Sequence, residues 1–233
     1  MYGSGYHDAH YFREEEERGD LFSELEGLAP GRALLDFGCG DARFLRFAAE
    51  RGWKGTGAEF DPSFVLRLRA EFPSLQFETV DEVLAQEDQS FSVIHLGDVF
   101  EHLVEPMGMM RSLLRRLKPG GLLFMEGPIE DNPNLVNYLM SVYFRRVRRS
   151  AGVHPPTHLI FTDRHSQLGA LERLGLRTLV FRISDSPRPM PSRVERPGSV
   201  PHLAKFALGQ VSVAVSNLVP GWGNRFLFVG SID

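Results

Sequence analysis

The run Leu34-Leu35-Asp36-Phe37-Gly38-Cys39-Gly40-Asp41-Ala42-Arg43 constrains this chain more than any other. An apolar stretch broken only by Asp36 and running into two closely spaced glycines reads as a buried strand that turns sharply into a helix. Glycine is needed at 38 and 40 because the backbone must turn there and a ligand must approach it closely. About twenty residues on, Gly57-Ala58-Glu59-Phe60-Asp61-Pro62 reads as a second strand ending in a carboxylate, where a ribose would present its hydroxyls. A dinucleotide turn would carry a third glycine at position 43. Arg43 stands there instead, so the expected ligand is an adenosine without phosphates.

Strands are predicted at 33–37, 53–59, near 75–80, at 92–96 and at 122–126. Helices are predicted over 41–51, after the Asp61-Pro62 cap and over 106–117. This alternation implies a parallel sheet covered on both faces, with its ligand at the carboxyl ends of the strands. Upstream, Leu21, Phe22, Leu25 and Leu28 recur at helical spacing, and Glu14 to Glu17 give a solvated face, so an N-terminal helix within 6–28 is expected to dock on the domain. Downstream, a helix over 132–149 leads to a connection at His154–Phe161. Thr162 or Asp163 caps a helix ending at Leu174-Gly175, and a strand follows at 176–183. Five prolines between 187 and 201 forbid regular helix or central strand there. A helix at 202–217 and a last strand at 225–232 complete the chain. Residues 184–224 are too long for a hairpin loop and read as an insertion building the substrate side of the pocket. The whole is expected to be one domain, with a helical cap (1–30), a cofactor-binding half (31–131) and a substrate-side half (132–233).

The Asp36-x-Gly38-x-Gly40 turn and Glu59 resemble motif I and the following acidic motif of class I S-adenosylmethionine-dependent methyltransferases. Phe91-Ser92-Val93-Ile94-His95-Leu96-Gly97-Asp98-Val99-Phe100-Glu101-His102-Leu103 resembles their fourth strand and its "EHL" helix start. Leu113 to Gly121 resembles the "L-K-P-G-G" turn before the fifth strand. The resemblance implies a doubly wound, mostly parallel seven-stranded sheet whose last two strands pair antiparallel at the edge. It implies S-adenosylmethionine as methyl donor and S-adenosylhomocysteine as product. Glu59 would hold the ribose, with Phe60 beside it, and Asp36 would organise the Gly38-Cys39-Gly40 turn and the methionyl end. Leu96 and Gly97 would turn backbone carbonyls to the sulfonium and amino group. Asp81 would accept from the adenine amino group, although Thr79-Val80-Asp81-Glu82 lacks the common Gly-Asp form and a plain helix cap competes with that role.

On the acceptor side, Thr157-His158-Leu159-Ile160-Phe161-Thr162 resembles the "H-x-x-x-F-T/S" segment of many small-molecule methyltransferases. His158 can take a hydroxyl proton, since imidazole titrates near working pH; the alternative is a structural histidine at the sheet edge or lid. His102 is the second candidate base and His154 a weaker one. His7, His10, His95, His165 and His202 are assigned structural or exposed roles. On a helix, Asp98, Glu101 and His102 would share one face. With a distant histidine they would be similar to the E-x-x-E-H pattern of metal-dependent small-RNA 2′-O-methyltransferases and some ubiquinone-pathway O-methyltransferases. Asp98 in place of the first Glu shortens the reach, and the expectation is that no metal is needed. Arg145, Arg146, Arg148 and Arg149 read as a solvated helix end, or as an anchor for an anionic substrate.

Cys39 is the only cysteine, which excludes an intrachain disulfide, and no base neighbours it in sequence to make it a nucleophile. A net charge of −4 gives no general attraction to nucleic acid. No apolar run approaches the roughly 18 residues of a membrane span, and a cytoplasmic protein is expected. With no N-P-P-Y type motif after strand four, amide-nitrogen acceptors are disfavoured. The expected acceptor is a hydroxyl on a small molecule, glycan or lipid-linked compound. The rivals are a metal-dependent RNA 2′-O-methyltransferase and a non-catalytic S-adenosylmethionine-binding regulatory module.

Overall fold

A computed structural model describes residues 15–139, 142, 158–185 and 200–232. In chain order they give α1 (Glu15–Leu28), β1 (Ala33–Phe37), α2 (Arg43–Glu50), β2 (Lys54–Glu59), α3 (Pro62–Glu71), β3 (Gln76–Thr79), α4 (Val80–Leu84), β4 (Phe91–Gly97), α5 (Pro106–Leu114) and β5 (Leu117–Pro128). A helix at Arg164–Arg173, β6 (Arg177–Ser184), a helix at Val200–Leu218 and β7 (Arg225–Ser231) follow. The seven strands form one sheet in the order β3-β2-β1-β4-β5-β7-β6. β1 to β5 are mutually parallel; β7 pairs antiparallel with both β5 and β6.

The last two strands pair antiparallel at the edge, as expected, and β7 is the strand that runs against the rest. Its position follows from burial. Phe226 to Val229 are buried on both faces, which only an interior strand provides, whereas β6 is exposed or half-buried throughout and takes the edge. The two faces carry separate cores. Leu35, Phe37, Ile94, Leu96, Leu123 and Met125 face one layer; Leu34, Val93, Leu122 and Phe124 face the other, together with Leu45 and Trp53. This is the period-2 alternation of adjacent strands.

α1 docks through Phe22 and Leu25, with the Phe22 ring 5.2 Å from Phe44, 5.1 Å from Phe47 and 6.0 Å from Trp53. Leu28, expected beside them, is half exposed because it closes the helix beyond that contact. The caps form where the sequence offers them. Asp61 accepts from Ser63 N at 2.8 Å with Pro62 in the first turn, and Asp163, rather than Thr162, accepts from Ser166 N. α5 stops at Leu114, short of the expected 117, because Leu117 already pairs with Phe91 in an extended β5.

Of the expected 132–149 helix, residues 135–139 and 142 are helical among the described residues. The arginines at 145–149 and His154 lie outside the described residues. Asn132 donates to the carbonyls of Gly221 and Gly223, each at 2.9 Å, and so ties the exit of β5 to the entry of β7. Within 184–224, the Val200–Leu218 helix is tethered to the end of β6 by a Ser212–Asp185 hydrogen bond. Among the described residues no helix is long and apolar enough to cross a membrane.

Candidate active site

The carboxyl ends of β1, β2 and β4 open into a cleft of about 990 Å³, where strand order reverses around β1. The glycine turn forms one wall. Gly38 N and Cys39 N both donate to Ala58 O, at 2.9 and 3.1 Å, which pins the turn to β2. Gly38 has φ +76° and a Cβ there would collide with Val99 Cγ2; Gly40 has φ +51°. Glu59 closes the end of β2, accepting from Gly40 N and Phe60 N, each at 3.0 Å. A carboxylate aimed across the glycine turn in this way is placed to take ribose hydroxyls entering the cleft. Phe60 is half exposed, edge-on to Phe37 at 5.5 Å, and offers an apolar surface beside it. Arg43, where a dinucleotide turn has glycine, lines the cleft and pairs with Asp41 at 2.7 Å.

The floor is polar. Asp36 is 2% exposed and its Oδ1 lies 2.7 Å from His95 Nδ1, across neighbouring strands in register. His95 Nε2 stands 3.9 Å from Glu126 Oε1 on β5. Burial alone would push the imidazole pKa down, but the Asp36 and Glu126 carboxylates outweigh it and hold the ring at about 9. His95, assigned a structural or exposed role from sequence, is therefore a buried component of the cleft. Cys39 is a protonated thiol. Burial first, then the charges of Asp36 and Glu59, push its pKa above the usual range, in keeping with no nucleophilic role.

Asp36, Gly38, Cys39, Gly40, Glu59, Phe60, Gly97, Asp98 and His102 all line the cleft. Two donor-site candidates do not. Asp81 is exposed in the first turn of α4, which is capped by Thr79 with Glu82 in a reciprocal box, and Leu96 turns its side chain into the core. Among the described residues, none of 184–224 lines the cleft.

Beyond Gly97 the chain takes a left-handed residue, Asp98 (φ +52°), and then one turn of 3-10 helix at Phe100–His102. The expected α-helical face for Asp98, Glu101 and His102 therefore does not form. Asp98 instead accepts from Arg225 Nη2 at 2.8 Å. Glu101 is buried; desolvation, then the charge of Asp98, raise its pKa to about 8, and its Oε1 has no hydrogen-bond partner. The backbone N–H groups of Leu159 and Ile160 donate to Glu101 O, at 2.8 and 3.3 Å, and so lay the His158 segment against this turn. The His102 and His158 rings meet edge-on at 4.9 Å, and His158 Nδ1 is 3.1 Å from Glu130 Oε1, close but outside hydrogen-bond alignment. Ligand atoms of Glu101, His102 and His158 all lie within 4.8 Å of one another.

Sequence reasoning missed His95, Glu126 and Phe44, which also line the cleft. An ionisable residue inside the otherwise apolar β4 was the available signal for His95. Its partner becomes visible only with the β1–β4 register.

A family model described as a methyltransferase domain matches residues 8–179, more than half of the chain. The chain is 27% identical over 168 residues to ubiquinone biosynthesis O-methyltransferase of Paracidovorax citrulli, covering 65% of this chain and 70% of that one. It is 32% identical over 126 residues to the protein of the same name from Klebsiella pneumoniae, covering 52% and 51%. It thus spans about half the length of that relative. Among solved structures, the [4+2]-cyclase SpnF is similar at a TM-score of 0.60 and 21% identity, covering 97% of this chain and 83% of the other. Geranyl diphosphate C-methyltransferase of Streptomyces coelicolor A3(2), solved with Mg²⁺, geranyl diphosphate and S-adenosylhomocysteine, gives a TM-score of 0.60 at 13% identity, covering 95% and 81%. With the strand order, the glycine turn and the acid at the end of β2 already in place, the chain belongs to the class I S-adenosylmethionine-dependent methyltransferases, and S-adenosylmethionine is its methyl donor.

Proposed function

We propose that the chain transfers the donor methyl group to a hydroxyl of a small apolar or lipid-linked molecule, with His158 as the base. The observation that carries this is the His102–His158–Glu130 cluster, which adjoins the cleft through His102. Glu59 would hold the ribose, and Asp36 with the Gly97 backbone would hold the methionyl end, of the donor that supplies the methyl group. The acceptor oxygen attacks the methyl carbon as the carbon–sulfur bond breaks. The hydroxyl proton passes to the His158 imidazole, which Glu130 stabilises as it becomes charged. Most of the acceleration comes from alignment and exclusion of water, as expected for an in-line displacement.

The apolar character of the acceptor rests on the surface around that cluster. Leu159 and Phe161, in the same segment as His158, are 56% and 50% exposed. The names of the O-methyltransferase relatives agree with a hydroxyl acceptor. The test is transfer of labelled methyl to phenols and alcohols with and without an apolar tail. Turnover should rise with the tail and be lost in His158→Ala. Equal turnover on amines by that variant and the wild type would overturn the reading.

A second reading has its own observation. Glu101, His102 and His158 converge, and the buried Glu101 Oε1 lacks a partner. These oxygen and imidazole donors fit a divalent cation, which would polarise an acceptor hydroxyl. Asp98 would be the fourth donor, but Arg225 already engages its carboxylate. Abolition of turnover by a chelator, with restoration by Mg²⁺ or Mn²⁺, would favour this reading over the metal-free base.

A further inference from the structure

Asp36, His95 and Glu126 lie on three adjacent strands, β1, β4 and β5, and all three line the donor cleft. Asp36 and His95 are opposite one another in the parallel register, and Glu126 is opposite Gly97, two residues further along β4. Period-2 alternation therefore sends all three side chains to the same face of the sheet, the face that carries Leu34, Val93 and Phe124. They form a polar row across a layer that is otherwise apolar. Phe44, from the first turn of α2, stacks on the His95 ring at 3.7 Å, and Phe124 lies 4.8 Å from it. The ring is thus stacked on one face by Phe44 and bordered by the tilted Phe124 ring, with one nitrogen toward each acid.

A purely apolar floor would be simpler to fold, since an ionic group buried here is costly unless it is paired on both sides. What the row accomplishes is to fix Asp36. That carboxylate is almost fully buried, and one of its oxygens is held by His95 Nδ1 at 2.7 Å. Its orientation is then set before any ligand enters. His95 Nε2 has no hydrogen-bond partner and is directed toward Glu126, whose Oε1 is 3.9 Å away, a separation that a small rotation would close.

We propose that His95 is a positioning residue of the donor site, clamped between Asp36 and Glu126 so that the Asp36 carboxylate meets the donor's ammonium in a fixed orientation. This rests on the assignment of the cleft to S-adenosylmethionine. The charged groups facing the ring are Asp36 and Glu126, while α2 and β5 present Phe44 and Phe124. A raised imidazole pKa of about 9 is in keeping with a ring that keeps both nitrogens protonated in the working range.

The test is calorimetric titration of S-adenosylmethionine into the wild type, His95→Asn and His95→Phe, from pH 7 to 10, with circular dichroism to verify folding. Asparagine can place an N–H where Nδ1 stood, so it keeps the Asp36 contact. Phenylalanine keeps the ring stack and loses both donors. At pH 7 the Asn variant should bind within about threefold of wild type and the Phe variant at least tenfold more weakly, the loss expected when a buried carboxylate loses its donor. Wild-type affinity should fall more steeply above about pH 9 than that of the Asn variant, which lacks the titrating ring. A folded Phe variant with wild-type affinity overturns the proposal. Should the Phe variant fail to fold, superimposable pH profiles for wild type and Asn variant overturn it instead. No binding by the wild type would be a failure of the donor-site assignment, which the same titration shows separately.

Discussion

The two glycines of the turn have different reasons to be glycine, and Gly38→Ala and Gly40→Ala should separate them. Both positions have positive φ, which costs a non-glycine residue about 1–2 kcal/mol. A Cβ at Gly38 would in addition run into Val99 Cγ2, from a side chain only 8% exposed, and overpacking of this kind adds about 1–3 kcal/mol. A Cβ at Gly40 meets no atom within 4 Å, and Gly40 lines the cleft. Gly38→Ala should therefore lose about 2–5 kcal/mol of stability and Gly40→Ala about 1–2. For a chain of this size each kcal/mol moves Tm by about 2–4 °C, so the two melts should be distinguishable. Val99→Ala should narrow the gap in the Gly38→Ala background, and a double-mutant cycle isolates that coupling. Donor affinity should show the reverse order at equal folded fraction, with Gly40→Ala at least tenfold weaker because its methyl occupies ligand space. Equal stability losses, or no rescue by Val99→Ala, would refute the steric reasoning.

Three further outcomes are expected. His158→Ala should leave donor affinity within about twofold while lowering turnover about 10²–10⁴-fold, the usual worth of a general base; rapid-quench turnover beside calorimetry decides it. Glu101 has a carboxyl pKa raised from 4.5 to about 8 in the fold, so its contribution is present below 4.5 and drains away as pH rises through 8. Glu101→Gln should flatten that decline and melt higher than wild type at pH 8.5 in chelator-treated buffer. An unchanged slope would show that Glu101 is not the group responsible. Asp81→Asn should bind the donor within about twofold of wild type, since Asp81 is exposed on α4 and outside the cleft. A tenfold loss would restore the adenine contact.

Most of the cofactor half was legible because its signals are local. Two glycines at fixed spacing, an acid at a strand end and an Asp-Pro cap each dictate backbone geometry within a few residues, and each forms as expected at Gly38, Gly40, Glu59 and Asp61. What escaped depends on contacts between distant strands. His95 could be assigned a role only once β1 and β4 were in register, because Asp36 is 59 residues away. The Asp98–Glu101–His102 spacing suggested a helical face, but a left-handed Asp98 and a single 3-10 turn redirect Asp98 to Arg225, 127 residues on. The Thr79-Glu82 box caps the start of α4 and leaves Asp81 exposed in its first turn.

The central claim is that this cleft holds S-adenosylmethionine through Glu59. Its most direct test is titration of the donor into wild type and Glu59→Ala by calorimetry. Each charge-assisted ribose hydrogen bond contributes about 1.5–3 kcal/mol, and Glu59 is partly exposed, so the lower end of that range applies twice, about 3 kcal/mol in all. Saturable binding by the wild type and roughly hundredfold weaker binding by the folded variant is the predicted result. A folded Glu59→Ala that binds the donor as tightly as wild type would contradict it.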